Sequence, residues 1–251
     1  MAVLVTRPGQ QGLELCQQLS EAGVASYHQP LIDITPGEQL SGLETAIDDF
    51  DIIIAVSQHA VTATDQYLTQ QAHLWPTSAT YLGVGQKTAH VLSKVTQQKV
   101  HYPERSDSEH LLSLDALSEV SGKRVLILRG NGGRELIFDT LSARKAKVEY
   151  REVYKRQNLA LRSDLLIPIW QDKQITQLIV TSSGQLEHLL SQLTPAQQNW
   201  LFTLHLWVPS ERIAQQAREA GFKVVTNTFS ASNSVLLAAL RPTQQDISND
   251  K

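Results

Sequence analysis

Short apolar runs alternate with longer amphipathic stretches along most of the chain. Runs such as 52–56 and 178–181 show no polar alternation, which is typical of strands covered on both faces of a parallel sheet. After the apolar run at residues 3–5, Leu15, Cys16 and Leu19 recur at helical spacing. Strands that alternate with helices in this way predict a doubly wound α/β fold.

The chain resembles itself when it is shifted by about 122 to 125 positions. Val3 then meets Val125, and Ser57 meets Ser182. Two further pairs of segments follow, which begin at Leu82 and Leu206, and at Lys99 and Lys223. Short apolar strands alone would match at any offset, so a nearly constant offset over four segments indicates a duplication.

Two segments depart from the strand and helix alternation. Residues 27–34 and 148–155 alternate in part, carry Tyr, Val and Ile, and occupy equivalent places in the two copies. We interpret them as extended, half-exposed strands that cross between two domains. The tail, residues 243–251, is polar and is expected to be frayed.

Composition limits the classes of protein. Of the 251 residues, 41% are apolar and 19% are charged, which is typical of a globular protein. The single Cys16 cannot form an internal disulfide, which fits a reducing cytoplasm. The first residues read as a strand and not as a signal peptide, and no apolar run is long enough to cross a bilayer. A net charge of −3 argues against a nucleic-acid partner.

Candidate chemistry lies where strands end. Ligands of open α/β sheets bind beyond the carboxyl ends of the strands, and helix N-termini there attract anions. Six such places carry small, hydroxyl or basic residues, which predicts a ligand with many carboxylates. These residues include Arg7, Ser57, His59, Gly85, Thr88, Arg129, Gly130, Asn131, Arg134, Thr181, Ser182, Ser183, Ser210 and Arg212.

Each of these residues also has a structural interpretation. Ser57, Ser182 and Ser210 suit the N-cap role, and a serine at an N-cap is more often structural than functional. The turn at 130–135 has Glu135 where a dinucleotide fingerprint needs its third glycine. There is no P-loop lysine and no His/Cys cluster with metal-ligand spacing. We therefore expect neither a cofactor nor a metal.

Several segments together resemble the uroporphyrinogen-III synthase family, over nearly the whole chain and in order. They are Val3 with Thr6-Arg7-Pro8, Leu128-Arg129-Gly130 with Arg134-Glu135, Val153-Tyr154, Val180-Thr181-Ser182, and 208–214 with Gly221-Phe222. The chain departs from the family pattern at His59, where relatives often have Asn, and at 182–184, which lacks a Pro found in many members.

The resemblance implies two flavodoxin-like parallel-sheet lobes joined by a two-stranded β-ladder. The N-terminal strand and helix would be swapped into the C-terminal lobe. One lobe would hold residues 1–27 and 158–251 and the other 37–147, with 28–36 and 148–157 forming the ladder.

The resemblance also implies a lyase of tetrapyrrole (heme and siroheme) biosynthesis that needs no cofactor. It would cyclise hydroxymethylbilane to uroporphyrinogen III with loss of water, through an azafulvene cation and a spiro intermediate that inverts the terminal (D) ring. Tyr154 matches the family tyrosine that assists loss of the hydroxyl. We place its side chain opposite Val153 and Lys155, toward a cleft between the lobes. The residues at the strand ends would bind the substrate.

Some expectations concern partners and alternatives. We expect a cytoplasmic monomer with no membrane contact that meets hydroxymethylbilane synthase transiently. The alternative is a non-catalytic two-lobed protein that binds a polyanion. A regulatory flavodoxin-like module is less favoured, because Asp51 lies before its strand and not after it.

Overall fold

The computed structural model describes residues 2–241, so the predicted frayed tail lies outside the described residues. The strands are β1 (Ala2–Val5), β2 (Ala25–His28), β3 (Ile32–Pro36), β4 (Ile52–Ala55), β5 (Thr80–Gly83), β6 (Val100–His101), β7 (Arg124–Gly130), β8 (Lys147–Asn158), β9 (Ile175–Ile179), β10 (His205–Val208) and β11 (Val224–Asn227).

Most of the α-helices follow one of these strands in the chain. They are α1 (Gly9–Glu21), α2 (Leu43–Ala46), α3 (Gln58–Gln70), α4 (Gln86–Thr96), α5 (Ser108–Leu111), α6 (Leu136–Ala143), α7 (Ser163–Asp172), α8 (Ser183–Ser191), α9 (Pro195–Leu201), α10 (Glu211–Ala220) and α11 (Asn233–Leu240). Short 3₁₀ turns lie at Glu38–Leu40, Ile47–Asp49 and Asp115–Leu117.

The chain forms two compact units. The first consists of Met1–Asp33 and Gln157–Lys251, and the second of Ile34–Arg156. Since β1 pairs in parallel with β2 and β9, and not with β4, the N-terminal strand belongs with the C-terminal half. This confirms the predicted swap. The finer division, with ladder residues 28–36 and 148–157 as a separate part, stays a prediction.

The first unit contains a five-stranded sheet in the order β11-β10-β9-β1-β2. Its inner strand β1, between β9 and β2, is fully buried because successive side chains point to opposite covered faces. Leu4 packs in a cluster with residues of α7, α8, α9 and α10, whereas Val3 and Val5 pack with residues of α1 and α11. The sheet therefore lies between two helical layers.

The second unit contains a six-stranded sheet in the order β3-β8-β7-β4-β5-β6. Its central strand β4 is also buried on both faces. Ile53 packs in a cluster with residues of α2, α3 and α4, while Ile52 and Ile54 pack in a cluster with residues of α5 and α6. The absence of polar alternation in 52–56 predicted this double covering.

The predicted N-caps are confirmed. The side-chain oxygens of Ser57, Ser182 and Ser210 accept hydrogen bonds from backbone N–H groups in the first turns of α3, α8 and α10. Each cap starts its helix directly behind the carboxyl end of a parallel strand. The remaining first-turn N–H groups and the positive end of each helix dipole thus lie at that edge of the sheet.

The two segments predicted as crossings differ from each other. Residues 148–155 belong to one continuous strand, β8, but 27–34 does not. There, β2 ends at His28, the chain bends through Pro30, and β3 begins at Ile32. Proline has no N–H to donate to a sheet ladder, which explains the break.

Strand β8 contains an irregularity that alters the predicted facing of its side chains. Arg129 of β7 is in register with Glu152, but the next residue, Gly130, is in register with Tyr154. One extra residue, Val153, is thus accommodated as in a β-bulge. Val153 and Tyr154 are both buried, with 0% and 2% exposure, and both pack in the cluster that contains residues of α2, α3 and α4, where simple alternation places them on opposite faces.

Candidate active site

The second unit brings four of the predicted site residues together. Ser57 and His59 lie at the start of α3, Gly130 ends β7, and Tyr154 lies beside Gly130 on β8. The ladder order β8-β7-β4 places these carboxyl ends side by side. The phenol of Tyr154 is the centre of this group.

The Tyr154 hydroxyl has two hydrogen-bond donors. The Ser57 hydroxyl donates to the phenol oxygen at 3.1 Å, and the guanidinium of Arg156 donates to it at 3.2 Å. A phenol oxygen has one proton and limited acceptor capacity. Two donors therefore occupy the oxygen as an acceptor and leave the phenol proton available for a further partner.

Gly130 lets the Tyr154 ring approach the strand. A Cβ at position 130 would overlap the ring and lie 2.9 Å from the phenol oxygen. The backbone of Gly130 has an ordinary extended conformation, so the glycine is required for space and not for a special dihedral angle. The close approach fixes the ring between β7 and α3.

His59 borders the same phenol. Its ring centroid lies 5.7 Å from that of Tyr154. Burial of the imidazole, and then the nearby Arg156 cation, lower the pKa of His59. The imidazole is therefore neutral at pH 7, and Arg156 supplies the positive charge of this group.

The predicted arginines of the second unit have protein partners. The Arg129 guanidinium lies over the Tyr150 ring at 4.1 Å and pairs with Glu135 at 3.0 Å and Glu152 at 3.4 Å. Arg134 is exposed and pairs with Glu109. A small cavity of about 170 Å³ lies beside these arginines, lined also by Gly132, Gly133 and Tyr150.

Asn131 and the start of α4 complete the predicted positions of this unit. The Asn131 side chain donates to the carbonyl of Arg156 and accepts from its N–H, so it extends the pairing of β7 and β8. Gly85 is the N-cap of α4 and has no side chain that could cap the first N–H groups of this helix. A larger residue does not fit there, because a Cβ would overlap Ser106. Thr88 lies in the first turn of α4 and is 7% exposed.

The first unit holds the remaining predicted residues. Thr181 donates from its N–H and hydroxyl to the Gln185 side chain, both at 2.9 Å. Arg212, in the first turn of α10, donates to the Ser183 hydroxyl at 2.8 Å, which links the starts of α8 and α10. Ser182 and Ser210 are the caps described above.

Arg7 is tied to the protein itself. Its guanidinium donates to the carbonyl of Ala231, to Asn233 at 2.6 Å and to Gln11 at 2.6 Å, and the residue is 8% exposed. Burial lowers its pKa, against the opposing effect of Glu14. These bonds join the end of β1 to the starts of α1 and α11, which is a structural role.

Sequence reasoning missed two groups of residues. Arg156 lies two positions beyond Tyr154 on the same strand, so the period of two in β8 was the signal that could have found it. The second group lines a groove of about 530 Å³ beside α4 and includes Lys87, Lys99 and Tyr102. These residues lie on different elements, and no sequence spacing connects them.

Residues 2–241 lack two kinds of feature. No set of three or more His, Cys, Asp or Glu side chains there is arranged to hold a metal ion. In the same part of the chain, no helix is both long and apolar enough to cross a membrane.

The fold and the site define a class of protein. It is a duplicated α/β protein whose strand ends present hydroxyl groups, helix N-termini and one buried tyrosine with a cationic neighbour. The family model described as uroporphyrinogen-III synthase HemD matches residues 14–233. The chain belongs to the uroporphyrinogen-III synthase family.

Curated relatives agree with this assignment. The uroporphyrinogen-III synthase of Escherichia coli K12 is 42% identical over 247 residues, which cover 96% of this chain and 100% of the relative. That of Salmonella typhimurium LT2 is 38% identical with the same coverage of both chains.

Solved structures share the fold. A mutant uroporphyrinogen III synthase from the extremely thermophilic bacterium Thermus thermophilus aligns over 100% of both chains with a TM-score of 0.60 and 16% identity. The enzyme from Helicobacter pylori 26695 aligns over 95% of this chain and 97% of its own, with a TM-score of 0.57 and 15% identity. At these identities the likeness establishes the two-lobed α/β fold.

Proposed function

We propose that this chain closes hydroxymethylbilane, a linear tetrapyrrole octa-acid, to uroporphyrinogen III, with loss of water and inversion of the terminal (D) pyrrole ring. The observation that carries the proposal, beyond family membership, is the Tyr154 phenol. It lies on β8 beside the carboxyl end of β7, and its oxygen accepts hydrogen bonds from Ser57 and Arg156.

Tyr154 acts first as a general acid. It gives its proton to the substrate hydroxyl, the carbon–oxygen bond breaks, and water leaves an azafulvene cation on that pyrrole. The Arg156 guanidinium, which donates to the phenol oxygen at 3.2 Å, holds that oxygen in place during the transfer. General-acid help of this kind contributes typically about 10²- to 10⁴-fold.

Ring closure follows with inversion. The substituted α-carbon of the pyrrole at the other end attacks the cation and forms a spiro centre. The older bond of this centre breaks and leaves a second azafulvene cation on the neighbouring pyrrole. The inverted ring then attacks this cation through its unsubstituted α-carbon. That carbon then loses its proton, which returns to the phenolate, so the overall change is loss of one water.

Five of the predicted residues at strand ends orient the substrate. Direct closure without inversion competes, so the protein must hold the bilane in the geometry that favours the spiro attack. Carboxylate arms fit the uncapped N–H groups of α4 and the first turns of α3, α8 and α10. Substrate binding through Ser57, Gly85, Thr88, Ser182 and Ser210 is part of the proposal.

A coupled assay tests the proposed function. Freshly made hydroxymethylbilane is supplied, the products are oxidised to porphyrins, and the isomers are separated by chromatography. The expected product is isomer III. Isomer I alone, formed no faster than in buffer without the protein, would contradict the proposal. If the bilane also bound tightly in that case, the chain would be a non-catalytic binding protein.

Three further points belong to the proposal. The chain acts as a monomer, in the cytoplasm, and meets hydroxymethylbilane synthase transiently to receive an unstable substrate. Analytical ultracentrifugation tests the first point. A shorter lag in isomer III formation when both proteins are present tests the last.

A further inference from the structure

The groove beside α4 is a concave surface within the second unit. Its volume of about 530 Å³ falls within the range of small-molecule sites, about 300–1,000 Å³. It runs from the first turns of α3 and α4 to strand β6 and the residue behind it. Its polar and aromatic side chains include Gln58, Gln86, Lys87, His90, Lys99 and Tyr102.

The groove carries cations that the protein leaves unpaired. Within residues 2–241, Lys87 and Lys99 have no carboxylate within 4.0 Å, and both are exposed. The site arginines differ, because Arg7, Arg129 and Arg134 are each held by acceptors of the protein. The lysines are therefore free to meet an external anion.

The groove also offers an aromatic surface. Tyr102, which follows β6, is 44% exposed, so its ring is accessible from the groove. The ring of Tyr102 and the two ammonium groups together suit a flat, electron-rich ring that bears carboxylates. A pyrrole with its acetate and propionate arms has this chemistry.

The position of the groove relates it to the reacting group. Gln58, which lines it, directly follows Ser57, whose hydroxyl is bonded to the Tyr154 phenol. A ligand that reaches from the groove past the start of α3 arrives at Tyr154. A linear tetrapyrrole has the length to do so, whereas a single small anion does not.

We propose that this groove is a subsite for carboxylate-bearing pyrroles of the linear tetrapyrrole, in which Lys87 and Lys99 bind the arms and Tyr102 supports a ring. The subsite rests on the proposed function and adds to it two cations that hold substrate away from the bond-breaking centre. Such contacts are alike in the ground state and the transition state, so they lower KM and leave kcat unchanged.

Charge-neutral variants test the subsite. Lys87→Gln and Lys99→Gln should each raise KM for hydroxymethylbilane about two- to fivefold, as expected for partly exposed charge pairs, and the double variant about tenfold. Lys94→Gln is the matched control, since Lys94 lies on α4 but does not line the groove. It should leave KM unchanged.

Salt and a second ligand sharpen the test. The KM of the unmodified protein should rise with ionic strength, and the rise should be smaller in the double variant. Uroporphyrin III, an octa-acid, should bind more weakly to the double variant in a fluorescence titration, and citrate should not reproduce the difference. Lys87→Arg with Lys99→Arg should restore most of the affinity.

The outcomes separate the two proposals. If the unmodified protein makes isomer III but the groove variants match Lys94→Gln in KM, the subsite is wrong and the proposed function stands. A fall in kcat with unchanged KM would also overturn the subsite. If the unmodified protein makes only isomer I, and no faster than in buffer without the protein, the proposed function itself fails.

Discussion

The two sheets have the same strand order but different chemistry at their carboxyl ends. Strands β11-β10-β9-β1-β2 of the first unit correspond to β6-β5-β4-β7-β8 of the second, and the second adds β3 at its edge. The duplication thus preserved the frame and the caps behind β9 and β4. It did not preserve what those caps contact.

Ser57 and Ser182 show the difference most directly. Both cap the helix behind an equivalent strand. Only Ser57 has a further bond from its hydroxyl to a tyrosine, which the second unit provides at Tyr154. Hydrogen bonds of the Ser182 side chain stay within its own helix start. The reacting group therefore belongs to the second unit.

Arg7 and Arg129 occupy equivalent places in the two units but have different partners. Both follow or end equivalent strands and both are 8% exposed. Burial lowers the pKa of Arg7, whose acceptors are neutral apart from the influence of Glu14. For Arg129 the burial effect is outweighed by Glu135 and Glu152, so its pKa is raised. Arg7 therefore links β1 to α1 and α11 through hydrogen bonds. Arg129 belongs to a network of charged side chains beside a cavity.

The largest expected effect is on catalysis in the second unit. Tyr154→Phe should lower kcat about 100-fold, because the general acid is lost while the ring is kept. KM should change little, and the lost hydrogen bonds should cost about 1 kcal/mol of stability. Steady-state kinetics and urea unfolding measure both.

The control for this variant comes from the first unit. Tyr27→Phe removes an exposed phenol from β2, the counterpart of β8, and should leave kcat unchanged. If Tyr154→Phe kept the unmodified kcat, the phenol would be structural and positioning alone would carry the reaction.

The next effect compares the two arginines in stability. Arg7→Gln should lower the free energy of unfolding by about 2–3 kcal/mol, since it removes charged hydrogen bonds from three partly buried acceptors. Arg129→Gln should cost about 1 kcal/mol, because its partners Glu135 and Glu152 are 51% and 34% exposed and can be rehydrated. Equal losses in urea unfolding would show that the two environments do not differ.

The third effect compares the two serine caps. Ser57→Ala and Ser182→Ala should each cost about 1 kcal/mol of stability through loss of the cap. Only Ser57→Ala should also lower kcat, about three- to tenfold, because the phenol loses one of its donors. A matching fall in kcat for Ser182→Ala would place part of the chemistry in the first unit.

The smallest effect concerns pH and His59. Its pKa in the folded protein lies below the ordinary 6.5, through burial and then Arg156, so the unfolded chain binds more protons. The contribution of His59 to the free energy of unfolding is therefore fully present above about pH 6.5 and is lost as the pH falls below that value. His59→Gln should flatten this dependence in unfolding measurements between about pH 7.5 and about pH 5.

A histidine of the first unit provides the comparison. Burial also lowers the pKa of His205, so His205→Gln should flatten the same curve, independently of any change in kcat. If neither variant alters the slope, the histidines do not determine the pH dependence in this range.

The amino-acid sequence by itself determined the strand and helix alternation of this protein, its duplication and three of its helix caps. Apolar runs without polar alternation identified β4 and β9, the nearly constant offset identified the duplication, and serines behind strands identified three caps. These features depend on periodicity and on contacts between residues a few positions apart, which a sequence displays directly. The resemblance to a family then supplied the swap of β1 and the choice of Tyr154.

Only the tertiary structure decided how the site is assembled. The bond between Ser57 and Tyr154 joins residues 97 positions apart, and Tyr154 directly follows an extra residue in β8 that alternation could not reveal. The bonds of Arg7 to α11 and the meeting of Lys87, Lys99 and Tyr102 in one groove are likewise products of packing. Such contacts follow from the register of paired strands and the placement of helices on a sheet, which no local pattern encodes.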